Sequence, residues 1–413
     1  MMLFLYHFKN TLFLSFLLCI SCGNTNDKND KKTENISTAI IADTLKPVRV
    51  AANRTEAYIP LLQDKNIGIV ANQTSVIFNE QGHTHLVDSL LHSGIKIKKV
   101  FAPEHGFRGQ ADAGEKVSDG TDKKTGLPLI SLYGKNRKPS TEQLKELDVV
   151  LFDIQDVGVR FYTYIATLQL IMEACADNNI PVIVLDRPNP NAHYVDGPTM
   201  KKEHSGFLGM TEIPLVYGMT IGEYAQMINN EGWLENSKKA DLTVIPLENW
   251  THTTVYHLPI RPSPNLPNDT AINLYPSLGL FEGTNVNAGR GTEFQFQRYG
   301  ASFMDTTAYT FSYVPKPNFG SKHPKEEGKT CYGKDLSDHK RMSEVSLQWI
   351  IDAYNNTPDK NQFFITSGFT KHAGNTELQK QIEAGLSENE IRQSWATDLE
   401  KFKKIRAKYL MYD

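Results

Sequence analysis

The chain has 413 residues, 40% of them apolar, with 20 Phe, 17 Tyr and 4 Trp, which excludes intrinsic disorder, collagen-like repeats and coiled coil and leaves room for more than one domain. Lys and Arg number 44 against 47 Asp and Glu, a formal net charge of −3, so no global positive field exists to hold nucleic acid. Four Cys and 12 scattered His show no CxxC spacing near His, so neither a disulfide framework nor a metal is expected.

Residues 1–21 carry Lys9 near the start and an apolar run from Leu12 to Ile20, too short to span a bilayer. They read as a secretory signal peptide. Ser21-Cys22-Gly23 adds a lipoprotein-type cleavage site, with Cys22 as the residue that would carry the lipid. The polar stretch 22–50 cannot offset ordering entropy by burial and reads as a disordered tether. The expectation is an exported protein, periplasmic or associated with the outer membrane, and touching membrane only through that anchor.

From residue 67 short apolar runs alternate with amphipathic stretches, the pattern of βαβ units on a parallel sheet. Strands are predicted at 67–71 (IGIVA), 97–102 (IKKVFA), 149–154 (VVLFDI), 182–186 (VIVLD) and 242–246. Leu86, Leu90 and Leu91 form one helical stripe, and Leu168, Ile171 and Cys175 another, which makes Cys175 a buried core thiol. Thr220 and Glu223 are spaced as a capping box. These features give a Rossmann-like α/β domain over 51–260, its sheet mostly parallel.

Polar clusters follow the first four strands: Asn72-Gln73-Thr74, then Pro103-Glu104-His105-Gly106-Phe107-Arg108-Gly109, then Gln155-Asp156 with Arg160 and Tyr162, then Arg187-Pro188-Asn189. Open parallel sheets bind ligands beyond the carboxyl ends of their strands, so the four clusters should meet in one crevice. Glu104 is the leading acid or base, with pairing to Arg108 as its purely structural alternative, and His105 is second. Asp153 and Gln155 share a face of an extended segment, where Asp153 either meets ligand or receives backbone N–H groups at the strand end. Arg160 and Tyr162 offer a forked cation and a ring with a polar tip, suited to a carboxylated sugar. No GxGxxG, GxxxxGK[ST], GxSxG or HExxH motif occurs, so no cofactor is expected.

The Pro-rich stretch 258–267 opens a smaller second α/β (α+β) domain, 261–413, that completes the cleft. Its segment 280–297 gathers Gly283, Gly289 and Gly291 around Glu282, Asn285, Arg290 and Glu293, a loop that wraps a polar ligand or simply builds hairpins. A long helix is predicted from Ser387, with Ile391, Trp395, Leu399, Phe402 and Ile405 on its buried face.

The strings FAPEHGFRG, FDIQDVGVRFYTY, VLDRPNP, PSPNLP, YPSLGLFEGTNV and GRGT resemble the bacterial exo-β-N-acetylmuramidase (NamZ-like) family over residues 60–413. The resemblance implies an exo-acting glycosidase releasing terminal N-acetylmuramic acid from peptidoglycan-derived saccharides in cell-wall recycling, with Glu104 at the family's PEHG position and Glu282 at its EGTN position. Relatives often carry Pro-Phe-Glu after GRGT, where this chain has Gln295-Phe296-Gln297. A lactyl carboxylate and an acetamido group would call on Arg108, Arg160, Arg187 or Arg290 for the first, and on Asn72, Gln73 or Gln155 for the second, with Asp153, Tyr162, Asn189 and Asn285 around them. A glycosidic bond needs a proton on its leaving oxygen, for which Glu104 is the choice, while Glu282 and Asp156 compete as second carboxylate. The rival readings are a non-catalytic lipoprotein that binds muramyl fragments, and an amidase acting on the lactyl-peptide side.

Overall fold

Nearly continuous apolar runs become strands covered on both faces, and that is how the centre of this protein is built. The computed structural model describes residues 46–109 and 119–413, so the segments expected to be a signal peptide and, as far as residue 45, a tether lie outside the described residues together with Cys22. Helix α1 (Thr55–Leu62) precedes strand β1 (Ile67–Ala71), the hairpin β2 (Val76–Asn79) and β3 (Gly82–His85), helix α2 (Leu86–His92) and β4 (Ile97–Ala102). Next come β5 (Gly120–Thr121), β6 (Pro128–Ser131), α3 (Thr141–Leu144), β7 (Val149–Asp153), α4 (Tyr164–Asp177), β8 (Val182–Leu185), α5 (Ile221–Asn230) and β9 (Leu242–Ile245). The seven-stranded sheet runs β5-β6-β4-β1-β7-β8-β9, all neighbours parallel except β5 against β6. All five predicted strands lie in it, and β5 and β6 extend one edge.

Alternation within each strand sorts side chains between two cores even where every residue is apolar. Ile67, Ile69 and Ala71 join Val100, Leu151 and Leu185 against α1 and α2, through Tyr58, Leu62, Leu86 and Leu90. Val70, Phe101, Val150, Phe152 and Val184 face the other way, onto Leu168, Ile171 and Met172 of α4 and Tyr224 and Ile228 of α5. Each fully buried aliphatic side chain contributes roughly 2 kcal/mol. Cys175 is buried on the α4 stripe as predicted, and burial pushes its thiol up to about 12. Thr220 and Glu223 form the expected capping box at the start of α5.

The smaller C-terminal region holds α6 (Asp269–Leu278), the antiparallel strands β10 (Arg298–Ala301), β11 (Phe311–Tyr313) and β12 (Cys331–Asp335), and helices α7 (Gln348–Asn355), α8 (Thr366–Ala373), α9 (Glu377–Glu383) and α10 (Glu388–Arg406). Ser387 caps α10 through Glu390, and Ile391, Trp395, Leu399 and Phe402 are buried. The core on the α4 face continues across residue 260 into Phe281, Tyr299, Trp349, Phe369 and Trp395, and residues 46–413 form one compact unit. After α10 the chain returns to the sheet. The Tyr412 hydroxyl donates to Asp186 at 2.6 Å, just beyond β8, and accepts from the Leu247 N–H at 2.9 Å. No helix among the described residues is long and apolar enough to cross a membrane.

Candidate active site

From β1 the chain builds outward through β4 and β6, then crosses back to β7, β8 and β9 on the other side of β1. The reversal between β1 and β7 is a topological switch point, and a crevice opens beyond the carboxyl ends there. Its floor is stitched by short polar side chains. Asn72 Oδ1 accepts from the Thr74 N–H (2.8 Å) and hydroxyl (2.6 Å), Thr74 Oγ1 accepts from the Gln155 N–H (3.0 Å), and the Ser75 hydroxyl donates to the Asp153 carbonyl.

Glu104 enters from the end of β4 on a tight turn in which the Gly106 N–H donates to the Pro103 carbonyl at 3.0 Å, with His105 (φ 69°) and Gly106 (φ 77°) both left-handed. The turn is held by Ser263, whose hydroxyl lies 3.2 Å from His105 Nε2. Glu104 Oε2 accepts from the Thr163 hydroxyl at 3.1 Å, and its carboxyl is also hydrogen-bonded to Tyr133. Burial, with Glu104 adding to it, pushes the Tyr133 phenol up to about 12, so Tyr133 keeps its proton and remains a donor. This carboxyl opens on a cavity of about 490 Å³ whose walls include Arg137, Met200, Phe207 and Lys371.

Asp156 and Glu282 both act on Tyr275, a residue of α6 whose hydroxyl feels the charge of Arg290, Glu282, Glu104 and Asp156 together. Asp156 is buried, accepts from the Gly158 N–H at 2.7 Å and from the Tyr217 hydroxyl, and leaves Oδ1 unpaired. Burial pushes its carboxyl up to about 6 in spite of those donors. Glu282 has a side chain 23% exposed and pairs with Arg290 Nε at 3.1 Å. Burial works against its ionisation, but Arg290 and Lys325 outweigh it and hold the carboxyl down to about 2. Lys325 is itself fixed by the carbonyls of Phe281 (3.0 Å), Glu282 (2.9 Å) and Thr284 (2.6 Å).

Several residues expected to meet ligand serve the scaffold instead. Arg160, 1% exposed, spends its guanidinium on the carbonyls of Pro198 (2.6 Å), Ile213 (3.0 Å), His372 (2.8 Å) and Ala373 (2.8 Å). Arg187 forms a buried two-pronged pair with Asp153 (2.6 and 2.8 Å), so neither is offered to a substrate. Arg108 is clamped by Asp122 (3.0 and 2.8 Å) and Asp88 (3.2 Å) and leans over the Phe107 ring, outside the cavity wall. Gln155 donates to the carbonyls of Asp156 and Pro188, Asn189 to that of Met219, and Gln73 to those of Arg261 and Pro262. The buried Tyr162 hydroxyl donates to the Pro262 carbonyl at 2.7 Å. Asn285 donates to the Gln362 carbonyl and lines a separate hollow of about 400 Å³ with Lys325 and Glu326. Gln297, in the family's variable position, accepts from Asn268 at 3.1 Å. Glu104, Asp156, Glu282 and Arg290 thus share Tyr275 as an electrostatic neighbour, and of the residues expected at the site Glu104 is the one on the cavity wall.

Sequence reasoning missed Tyr133 and Arg137, which follow the unpredicted strand β6, and Thr163, Phe207, Tyr275, Lys325 and Lys371, which come from helices and loops away from the predicted strand ends. The one local signal was Gly206-Phe207-Leu208-Gly209, a turn whose end glycines exchange backbone hydrogen bonds at 3.0 and 2.8 Å and which presents Phe207 to the cavity. Among the described residues no group of three or more His, Cys, Asp or Glu is placed to hold a metal ion.

A carboxyl that opens on a cavity at the carboxyl end of a parallel strand, in a chain with two further carboxylates in opposite electrostatic settings, has the features of a hydrolase on a Rossmann-like scaffold. The description of the exo-beta-N-acetylmuramidase NamZ N-terminal domain matches residues 67–270, that of the NamZ C-terminal domain matches residues 273–412, and the chain belongs to this family. The peptidoglycan beta-N-acetylmuramidase NamZ of Bacillus subtilis (strain 168) is 39% identical over 377 residues, covering 86% of this chain and 89% of its own. A DUF1343 family protein of Bacteroides fragilis has a crystal structure similar at a TM-score of 0.81 and 43% identity, over 89% of this chain and 99% of that one. A second Bacteroides fragilis protein of that family reaches 0.74 at 26% identity, with the same coverage.

Proposed function

We infer that the protein is an exo-acting glycoside hydrolase that releases terminal N-acetylmuramic acid from peptidoglycan fragments, with Glu104 delivering the proton to the departing glycosidic oxygen. The observation that carries the assignment is the Glu104 carboxyl, held by Thr163 and Tyr133 and facing a cavity of about 490 Å³, large enough for a sugar. Glu282 stays ionised at neutral pH and is the negative partner for the charge that develops on the sugar ring. Asp156, enclosed and pushed up, supports the floor.

Hydrolysis of an aryl N-acetylmuramide tests the reading: the wild type releases the aryl alcohol, and Glu104→Gln slows release of a poor leaving group by about a thousandfold. Unchanged release by Glu104→Gln, or products in which a peptide rather than a sugar has left, would overturn it. The lipid anchor at Cys22 belongs to the same proposal. Labelled palmitate should enter the wild-type protein and not Cys22→Ser, and equal labelling of the two would remove it.

A further inference from the structure

The cavity at Glu104 does not end at its own walls. Ser205 and Met200 also line a hollow of about 510 Å³ bordered by Lys201, Lys202 and Lys401, and Arg137 and Phe207 also line a shallow surface hollow reaching Lys135 and Lys138. The three spaces therefore adjoin around one segment, 199–210. That segment is preorganised: the Gly206–Gly209 turn closes on itself, and Gly209 lies so near Arg160 and Met200 that a Cβ there would meet Met200 at 2.4 Å. Arg160, locked on four carbonyls, is thus the post behind the turn, and Phe207 on its tip lies under the Arg137 guanidinium at 4.1 Å.

The charges along this path are of unequal availability. Lys138 is neutralised by Glu173, Asp177 and Glu235, and Lys201 by Asp398, which Lys401 also approaches. Lys135, Arg137, Lys202 and Lys371 have no ion pair with another described residue, while Glu212 and Asp398, the latter paired with Lys201, are the acidic side chains on the wall of the Lys202 hollow. Cations without partners flanking an aromatic platform, continuous with a cavity that takes one sugar, are suited to a ligand that leaves the cavity carrying carboxylates.

We propose that the path from Glu104 past Arg137 and Phe207 to Lys135 and Lys202 binds the part of the substrate beyond the bond to be cut, as a polycarboxylate. The inference rests on the glycosidase reading, and it adds that the enzyme prefers acidic fragments longer than a disaccharide. The carboxylates come either from further lactyl groups along the glycan or from attached peptides.

The test is calorimetric, in the slow Glu104→Gln background so that fragments stay intact. Three probes are compared: N-acetylmuramic acid, a peptide-free tetrasaccharide and a peptide-bearing tetrasaccharide. Adding Lys135→Ala and Lys202→Ala should weaken tetrasaccharide binding about fivefold and leave the monosaccharide unchanged, and the difference should shrink between about 0.05 and about 0.3 M salt. Loss for both tetrasaccharides assigns the glycan carboxylates, and loss for the peptide-bearing one alone assigns the peptide. Equal Kd values with and without the two lysines, or a tetrasaccharide with amidated carboxyls binding as tightly as the acid form, would overturn the proposal. Failure of the wild type to cleave the aryl muramide would instead remove the glycosidase reading, and these Kd ratios would still report on the path.

Discussion

The corner around Asp156 and the corner around Glu282 contain the same functional group and treat it in opposite ways. Asp156 sits just beyond β7, where its donors are a phenol and backbone N–H groups, none of them a cation, and burial raises it to about 6. Glu282 sits at the start of the C-terminal region, where Arg290 and Lys325 reverse the same penalty and bring it to about 2. Protonation here is set by whether the fold has delivered a cation, and residue type decides little. In this chain the two carboxyls therefore differ by their surroundings: Asp156 in the Rossmann-like part is raised by burial, and Glu282 in the smaller part is held ionised by Arg290 and Lys325.

The sharpest way to break this contrast is to remove each carboxyl. Glu282→Gln should lower kcat/KM on an aryl N-acetylmuramide by about two to three orders of magnitude, as expected for a lost electrostatic partner, whereas Asp156→Asn should cost less than about tenfold. Equal losses in steady-state assays would mean that both groups act as ions. A smaller effect, of opposite sign at the two corners, should appear in urea unfolding as pH is varied. Glu282 is depressed from an ordinary 4.5, so its stabilisation is complete above that value and disappears as pH falls towards 2, at most about 3 kcal/mol. Asp156 is raised from 3.8, so it costs nothing in acid and up to about 3 kcal/mol once pH passes about 6. Asp156→Asn should then be relatively more stable than wild type at about pH 8 than at about pH 4, and Glu282→Gln less stable at neutral pH with a deficit that vanishes in acid. The same pH slope in both variants would refute the assignment.

Much of the scaffold was legible because parallel strands announce themselves as apolar runs and helices through caps: five of the seven sheet strands, the Thr220–Glu223 box and the Ser387 cap are where the sequence puts them. Strand β5 is two residues long, and β6 opens on Pro128 with three of its four residues at least partly exposed, so neither reads as a buried apolar run. At the site, Glu104 was legible because strand ends point into the crevice. Arg160 and Arg187 were misread for a physical reason: a guanidinium beside a ligand and one satisfying buried carbonyls or a buried carboxylate look identical in one dimension. Arg137 and Tyr275 were invisible, and Phe207 was marked only by its flanking glycines, because the tertiary fold alone carries them towards Glu104.

The link between Tyr412 and Asp186 bears on the order in which the molecule is made. The two residues are 226 positions apart, and loops of that size close late and slowly. During synthesis, then, the rim of the sheet emerges early but waits with a carboxyl short of a donor until the segment beyond α10 has been made. A nascent molecule in that interval is the form most open to proteases.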